Sequence, residues 1–282
     1  MTEVSWLFPL LATLLGLIVG SFLNVVIHRL PQMQERLWIR QCRELEGVTL
    51  EQEPRYDLVM PGSHCPSCHA AIKPWHNIPV LSWIWLRGRC AECAAWISPR
   101  YPIVEALTAI LSLVVALHFG YSAEAWAVLV LTWFLIAMSV IDYDHQLLPD
   151  VMTLPLLWLG LLASVFWLPL LPADSIIGAI LGYGVLWAVY HGYRLVTGKE
   201  GMGYGDFKLL AALGAWVGWQ MLPLIILGSS LVGAVLGILF ITARGGDRHV
   251  PIPFGPFLAI AGWVVILWGE GLTRFYLGLF AG

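Results

Sequence analysis

Eight apolar stretches with little polar interruption decide what this chain can become. They run over Leu7–Ile27, Tyr101–Leu117, Ala125–Ile141, Val151–Leu171, Ile176–Leu195, Phe207–Trp219, Met221–Ile241 and Phe254–Leu272. Most reach the roughly 17–25 residues that a helix needs to cross a bilayer. In lipid each backbone amide must be bonded within its own segment, so uniform apolarity without strand-like alternation selects helices. The sixth stretch has 13 residues; at about 1.5 Å each they cover roughly 20 Å of a core about 30 Å thick. It must begin inside the bilayer or end early. With 59% hydrophobic and 12% charged residues among 282, the fold class predicted is an all-α polytopic membrane protein of about eight transmembrane helices. The net charge of −3 gives no sign of a nucleic-acid partner.

Where the few charges lie is more informative than their sum. Arg29, Arg36, Arg40, Arg43, Arg55, Lys73, Arg87, Arg89 and Arg100 crowd into residues 28–100, and Arg194, Lys199, Lys208, Arg244 and Arg248 fall on the same side when eight helices are counted. Only Arg274 falls opposite. By the positive-inside rule the N-terminus faces out, while residues 28–100, 142–150, 196–206 and 243–253 face the cytoplasm. The first helix has neither a charged leader nor a small-residue cleavage site and reads as a retained anchor. Residues 1–28 form that anchor, 29–100 a small polar domain and 101–282 the main membrane part. Asn24 and His28, one turn apart, suit packing against a neighbouring helix, with a polar ligand as the alternative.

A polar domain this small needs a staple. Cys65-Pro66-Ser67-Cys68 and Cys90-Ala91-Glu92-Cys93 are CxxC pairs with 21 residues between them. That spacing offers four thiolates to a tetrahedral structural Zn²⁺ and leaves no open coordination position for catalysis. A reducing cytoplasm disfavours disulfides, and a set of free or redox-active thiols is the plainer alternative. Cys42 is left over as a free thiol, and His64, His69 and His76 are expected at the surface beside the first pair. Trp75, Trp83, Trp85 and Trp96 are many for so short a region. Such rings favour the headgroup level, so the domain is expected to rest on the membrane surface.

Carboxylates at the edge of apolar segments are functional candidates by default. Asp142 closes the third segment in Ile141-Asp142-Tyr143-Asp144-His145, and Asp206 opens the sixth in Gly203-Tyr204-Gly205-Asp206. Two such groups on one membrane face suit acid–base chemistry; a helix cap with a glycine turn is the plainer reading of the second. Asp150, just after Pro149, is expected to cap the fourth helix, and Asp144 to be solvated. Glu105 either pairs with Arg100 or lines a polar cavity, and Glu270 reaches water. Glycines four apart at Gly178/Gly182, Gly214/Gly218 and Gly233/Gly237 mark close helix contacts. A nucleotide-binding loop at Gly201–Asp206 is the competing explanation, but its spacing fits neither dinucleotide nor phosphate loops and no strand precedes it.

Taken in order, several motifs resemble those of the prepilin peptidases, the type IV leader peptidases among the GxGD intramembrane aspartic proteases. They are Gly20-Ser21-Phe22-Leu23-Asn24, the cysteine quartet, Arg100-Tyr101-Pro102-Ile103-Val104-Glu105, Ile141-Asp142 through Pro149-Asp150, Gly203-Tyr204-Gly205-Asp206 and Pro251-Ile252-Pro253-Phe254-Gly255-Pro256. The resemblance implies a bacterial inner-membrane enzyme in which Asp142 and Asp206 are the catalytic pair. It also implies cleavage of the basic leader of type IV prepilins and type II secretion pseudopilins, followed by methylation of the new N-terminal residue, usually Phe, from S-adenosylmethionine. Cytoplasmic placement of both aspartates, read from charge alone, agrees with a leader that stays inside. No glycine-rich soluble methyltransferase motif is present, and residues 29–100 are the expected contributor to that second site. A proton or ion transporter would fit two cytoplasmic helix ends beside a zinc knuckle poorly, and a zinc-held scaffold would lack cleavage activity altogether.

Overall fold

In a computed structural model, the chain is described over residues 6–47, 54–199, 201–243 and 253–280. Arg244, Arg248 and the Pro251-Ile252 pair of the last motif lie outside the described residues. The chain divides into two compact units, Met1–Tyr121 and Ser122–Gly282.

The first unit is a helix pair with the cysteine-bearing segment between its arms. Helix α1 (Leu7–Leu45) and helix α3 (Arg100–Phe119) pack along each other. Contact is close because Gly16 and Gly20 stand where a Cβ would meet Ala109 Cα at 2.9 Å and Glu105 Cα at 2.7 Å. This is a small-residue seam of the kind lipid-embedded helices use, and Asn24 crosses it by donating Nδ2 to the Tyr101 carbonyl at 3.1 Å. The packing role expected of Asn24 is what it has. α1 continues well past its apolar stretch, through a buried Pro31, to Leu45. Good helix formers in Gln32–Leu45 and the Arg40–Glu44 pair at i,i+4 sustain it beyond the bilayer. Between the arms, the described residues form a 3₁₀ turn, Pro74–Asn77, and the five-residue helix α2, Leu81–Trp85.

The second unit is built around a short helix enclosed by longer ones. Its elements are α4 (Ala123–His145), α5 (Asp150–Phe166), α6 (Pro172–Thr197), α7 (Tyr204–Val217), α8 (Leu222–Ala243) and α9 (Gly255–Phe280). α7 touches α5, α6 and α9, and everything from Leu209 to Trp216 is buried. Against α6, a Cβ at Gly178 would fall onto the Gly214 carbonyl oxygen, and one at Gly182 would lie 2.5 Å from the Leu210 oxygen. At Gly178, Gly182 and Gly214 the glycine spacing does mark helix contact. Polar side chains fix the far end of α7. Trp216 Nε1 donates to the Leu156 carbonyl at 2.9 Å and Ser175 Oγ to the Ala215 carbonyl at 2.5 Å, while Trp219 Nε1 reaches Asp174 Oδ1 at 3.0 Å.

All eight expected apolar helices are present among the described residues: α1 and α3 to α9. Five of them, α1, α3, α4, α6 and α9, are individually long and apolar enough to cross a membrane, and α7 with α8 makes a sixth candidate bent by 119°. The bend falls at Gly218, whose φ of +79° suits glycine alone,. α5, with 17 residues, is the shorter apolar helix. The molecule is an all-α, multi-pass membrane protein.

Candidate functional site

Asp142 lies one turn before the end of α4, where the helix stops because Gln146 adopts a left-handed φ of +51° and returns its N–H to the Asp142 carbonyl at 2.8 Å. The chain then turns through Leu147-Leu148-Pro149 into α5. Asp206 sits in the first turn of α7, after a Gly203 N-cap, and the carboxylate accepts from the Gly203 N–H. Both carboxylates are buried, at 5% and 7% exposure, and Leu148 lies against the glycine beside each: Gly255, which donates to Asp142, and Gly205, which precedes Asp206. Helices that start 81 residues apart thus bring the two sequence candidates together.

A third helix completes the site. The Gly255 N–H, at the head of α9, donates to Asp142 Oδ2 at 2.9 Å. A backbone donor at a helix N-terminus suits an anionic oxygen. Glycine is required there, since a Cβ would stand 2.6 Å from Asp142 Oδ2 and 3.2 Å from Leu148 Cδ1. Leu148 also lies against Gly205, whose Cβ would approach Leu148 Cβ to 2.7 Å. One leucine therefore sets the spacing of both helix starts. Beside it, Lys208 Nζ bonds both carboxylate oxygens of Asp150, at 2.6 and 2.7 Å. Asp150 is not the cap expected of it: Pro149 holds the N-cap position, and the Asp150 side chain ties the start of α5 to the start of α7 instead. Behind Asp206, Tyr190, Tyr204 and Phe207 stack with centroids 5.3 to 5.6 Å apart. Asp144 is exposed, as a solvated residue should be.

In the first unit, Cys65, Cys68, Cys90 and Cys93 gather with all four sulfurs within 4.8 Å of one another. Cys65 and Cys93 are 3.8 Å apart; a tetrahedron of Zn–S bonds of about 2.3 Å needs roughly that separation. The donor set therefore fits a metal ion. Two copies of one turn build it, displaced by 25 positions. Cys65 N bonds Ala70 O and Ile72 N bonds Ser63 O, just as Cys90 N bonds Ala95 O and Ile97 N bonds Gly88 O. His69 and Ala94, each following a second cysteine, take matching φ values of +58° and +56°. The N–H groups of Cys68 and then Ser67 draw the Cys65 thiol down to about 6, so a thiolate is available near neutrality. His64 and His69 are exposed and outside the cluster, and Cys42 is exposed on α1.

Residues 14–119 match the bacterial peptidase A24 N-terminal domain, and residues 129–238 match the type IV leader peptidase family. The Pseudomonas aeruginosa protein named prepilin leader peptidase/N-methyltransferase is 59% identical over 278 residues, covering 98% of this chain and 95% of its own. The chain belongs to the type IV leader peptidase family. Namesakes from Stutzerimonas stutzeri, 56% identical with 98% of each chain covered, and Aeromonas salmonicida, 54% identical with 97% and 95% covered, agree. No solved structure matches the chain. The two family matches fall either side of the boundary between the compact units.

Sequence reasoning found the carboxylates and thiols of this leader peptidase family member but missed Gly255, Leu148 and Lys208. Gly255 had been quoted within a motif without a role. Lys208, a cation in the second turn of an otherwise apolar helix, was the signal that an acid must be near.

Proposed function

We propose that the chain is a bifunctional prepilin leader peptidase and N-methyltransferase whose aspartic dyad is Asp142 and Asp206. It cleaves the basic leader of type IV prepilins and type II secretion pseudopilins, and then methylates the exposed amine of the new N-terminal residue, usually Phe. The observation that carries this is the meeting of two buried carboxylates, from α4 and α7, around Leu148, with the Gly255 amide donating to Asp142. Two carboxylates this close resist double ionisation and hold one proton between them. The ionised member takes a proton from the attacking water while the protonated member gives its own to the leaving peptide nitrogen. The pair titrates as a unit, so neither residue is assigned one role.

Cys65, Cys68, Cys90 and Cys93 hold a structural Zn²⁺, and residues 29–100 contribute to the site for S-adenosylmethionine, the methyl donor. The chain resides in the bacterial inner membrane with its N-terminus periplasmic and the dyad facing the cytoplasm. The positive-inside count supports that sidedness. The test is incubation of the purified protein with a prepilin. A shortened product is expected from the natural chain and none from Asp142→Asn or Asp206→Asn. Wild-type cleavage by either variant would overturn the dyad.

A further inference from the structure

Helix α3 has 20 residues, about 30 Å at 1.5 Å each, so it has no slack in crossing a hydrocarbon core of that thickness. Arg100, its first residue, therefore marks the edge of the core. Glu105 is five residues further in, about 7–8 Å down the axis. A carboxylate at that depth needs partners. Glu105 is buried at 8% exposure and finds two: the Val80 N–H, 2.7 Å from Oε2, and the Ser21 hydroxyl. Val80 is the N-cap of α2, and it holds a φ of +60°, a region that β-branched residues avoid. The carboxylate of a spanning helix thus fixes a strained connection and brings α2 down to the level of the first turns of α3.

What α2 presents at that level is apolar. Leu81, Ile84 and Trp85, at i, i+3 and i+4 on one face, are 66%, 61% and 78% exposed. The opposite side is committed inward, with Ser82 Oγ donating to the Trp75 carbonyl and Trp83 Nε1 to the Ile97 carbonyl. Exposed Arg87 and Arg89 follow directly. On α3 at the same depth, Ile103 is 60% and Leu107 41% exposed, as lipid-facing residues of a spanning helix are.

We propose that α2 is an interfacial foot. Leu81, Ile84 and Trp85 enter the boundary between headgroups and acyl chains of the membrane that α3 crosses, with Arg87 and Arg89 at the phosphate layer. The partner is bilayer lipid. The depth set by the Glu105 to Val80 bond, the apolar face and the basic residues beside it all require that one environment. The foot would hold the cysteine-bearing segment against the membrane, independently of how the dyad works.

The test is p-benzoylphenylalanine placed at Ile84 in the full chain. The protein is reconstituted into phosphatidylethanolamine and phosphatidylglycerol vesicles, irradiated, and read by mass for a phospholipid adduct. Lipid adducts are expected at position 84 and not at the exposed Glu92 of the second cysteine pair. Zinc content equal to that of the natural chain shows that the probe leaves the segment folded. Adding Glu105→Ala should lower the lipid adduct several-fold with zinc retained. A protein adduct at position 84, or equal lipid adducts at 84 and 92, would overturn the foot. An adduct unchanged by Glu105→Ala would overturn the clamp that sets its depth.

Discussion

The thiol cluster and the carboxylate pair each gather acidic groups that repel one another once ionised, and the chain builds them by opposite means. The thiols come from two copies of one short turn, 25 positions apart, and three of the four cysteines lie at least partly open to solvent. The donor set fits a metal ion, and a bound cation would supply cohesion that so small a segment otherwise lacks. The carboxylates come from helices whose sequences are far apart, each at most 7% exposed, and helix packing with backbone donors such as the Gly255 amide holds them. Where cohesion is bought by a metal, local geometry suffices; where it comes from packing, distant residues must agree.

That contrast can be broken most sharply at the dyad. Asp142→Asn or Asp206→Asn should lower prepilin cleavage by at least about 10²–10⁴-fold, the usual contribution of a general acid or base. Zinc per chain, measured by elemental analysis, should not change. Next comes Gly255→Ala, whose methyl group would press on Asp142 Oδ2. Displacement near 1 Å costs about 10²-fold, and kcat should fall with KM held. Lys208→Ala releases a partly exposed ion pair worth up to about 1 kcal/mol, so cleavage should drop no more than about fivefold, and pairing Asp150→Lys with Lys208→Asp should restore part of it.

The thiol side sharpens the comparison from the other direction. Cys65→Ser should release the metal and loosen residues 29–100 to limited proteolysis, while methylation of a pre-cleaved pilin suffers at least as much as cleavage. Metal retained in that variant would mean that packing, not coordination, holds the cluster. Asp144→Asn, at an exposed position, should leave cleavage close to the natural rate; its inactivity would move the dyad along α4.

Legibility followed the same division. CxxC spacing is local, so the cluster could be read directly, although the 25-residue repeat of its turns showed only in the hydrogen bonds. Every apolar helix was legible because lipid enforces one backbone solution. Individual partnerships across 58 to 113 positions were not. Gly255 to Asp142 and Lys208 to Asp150 depend on which helices become neighbours, and hydropathy carries no such information. Glu105 was read as an ion-pair or cavity residue. Its partners proved to be a backbone amide in the polar segment and the Ser21 hydroxyl.

Enclosure of α7 has a consequence for biogenesis. Fourteen residues are too few to partition stably into a bilayer as an independent span, and from Leu209 to Trp216 the helix keeps no face for lipid. It can reach its place only together with α5, α6 and α9, so Asp206 meets Asp142 late, once the neighbouring helices have been inserted. A chain stalled during insertion would be an inert one, and proteolytic capacity would appear only in molecules whose assembly is finished.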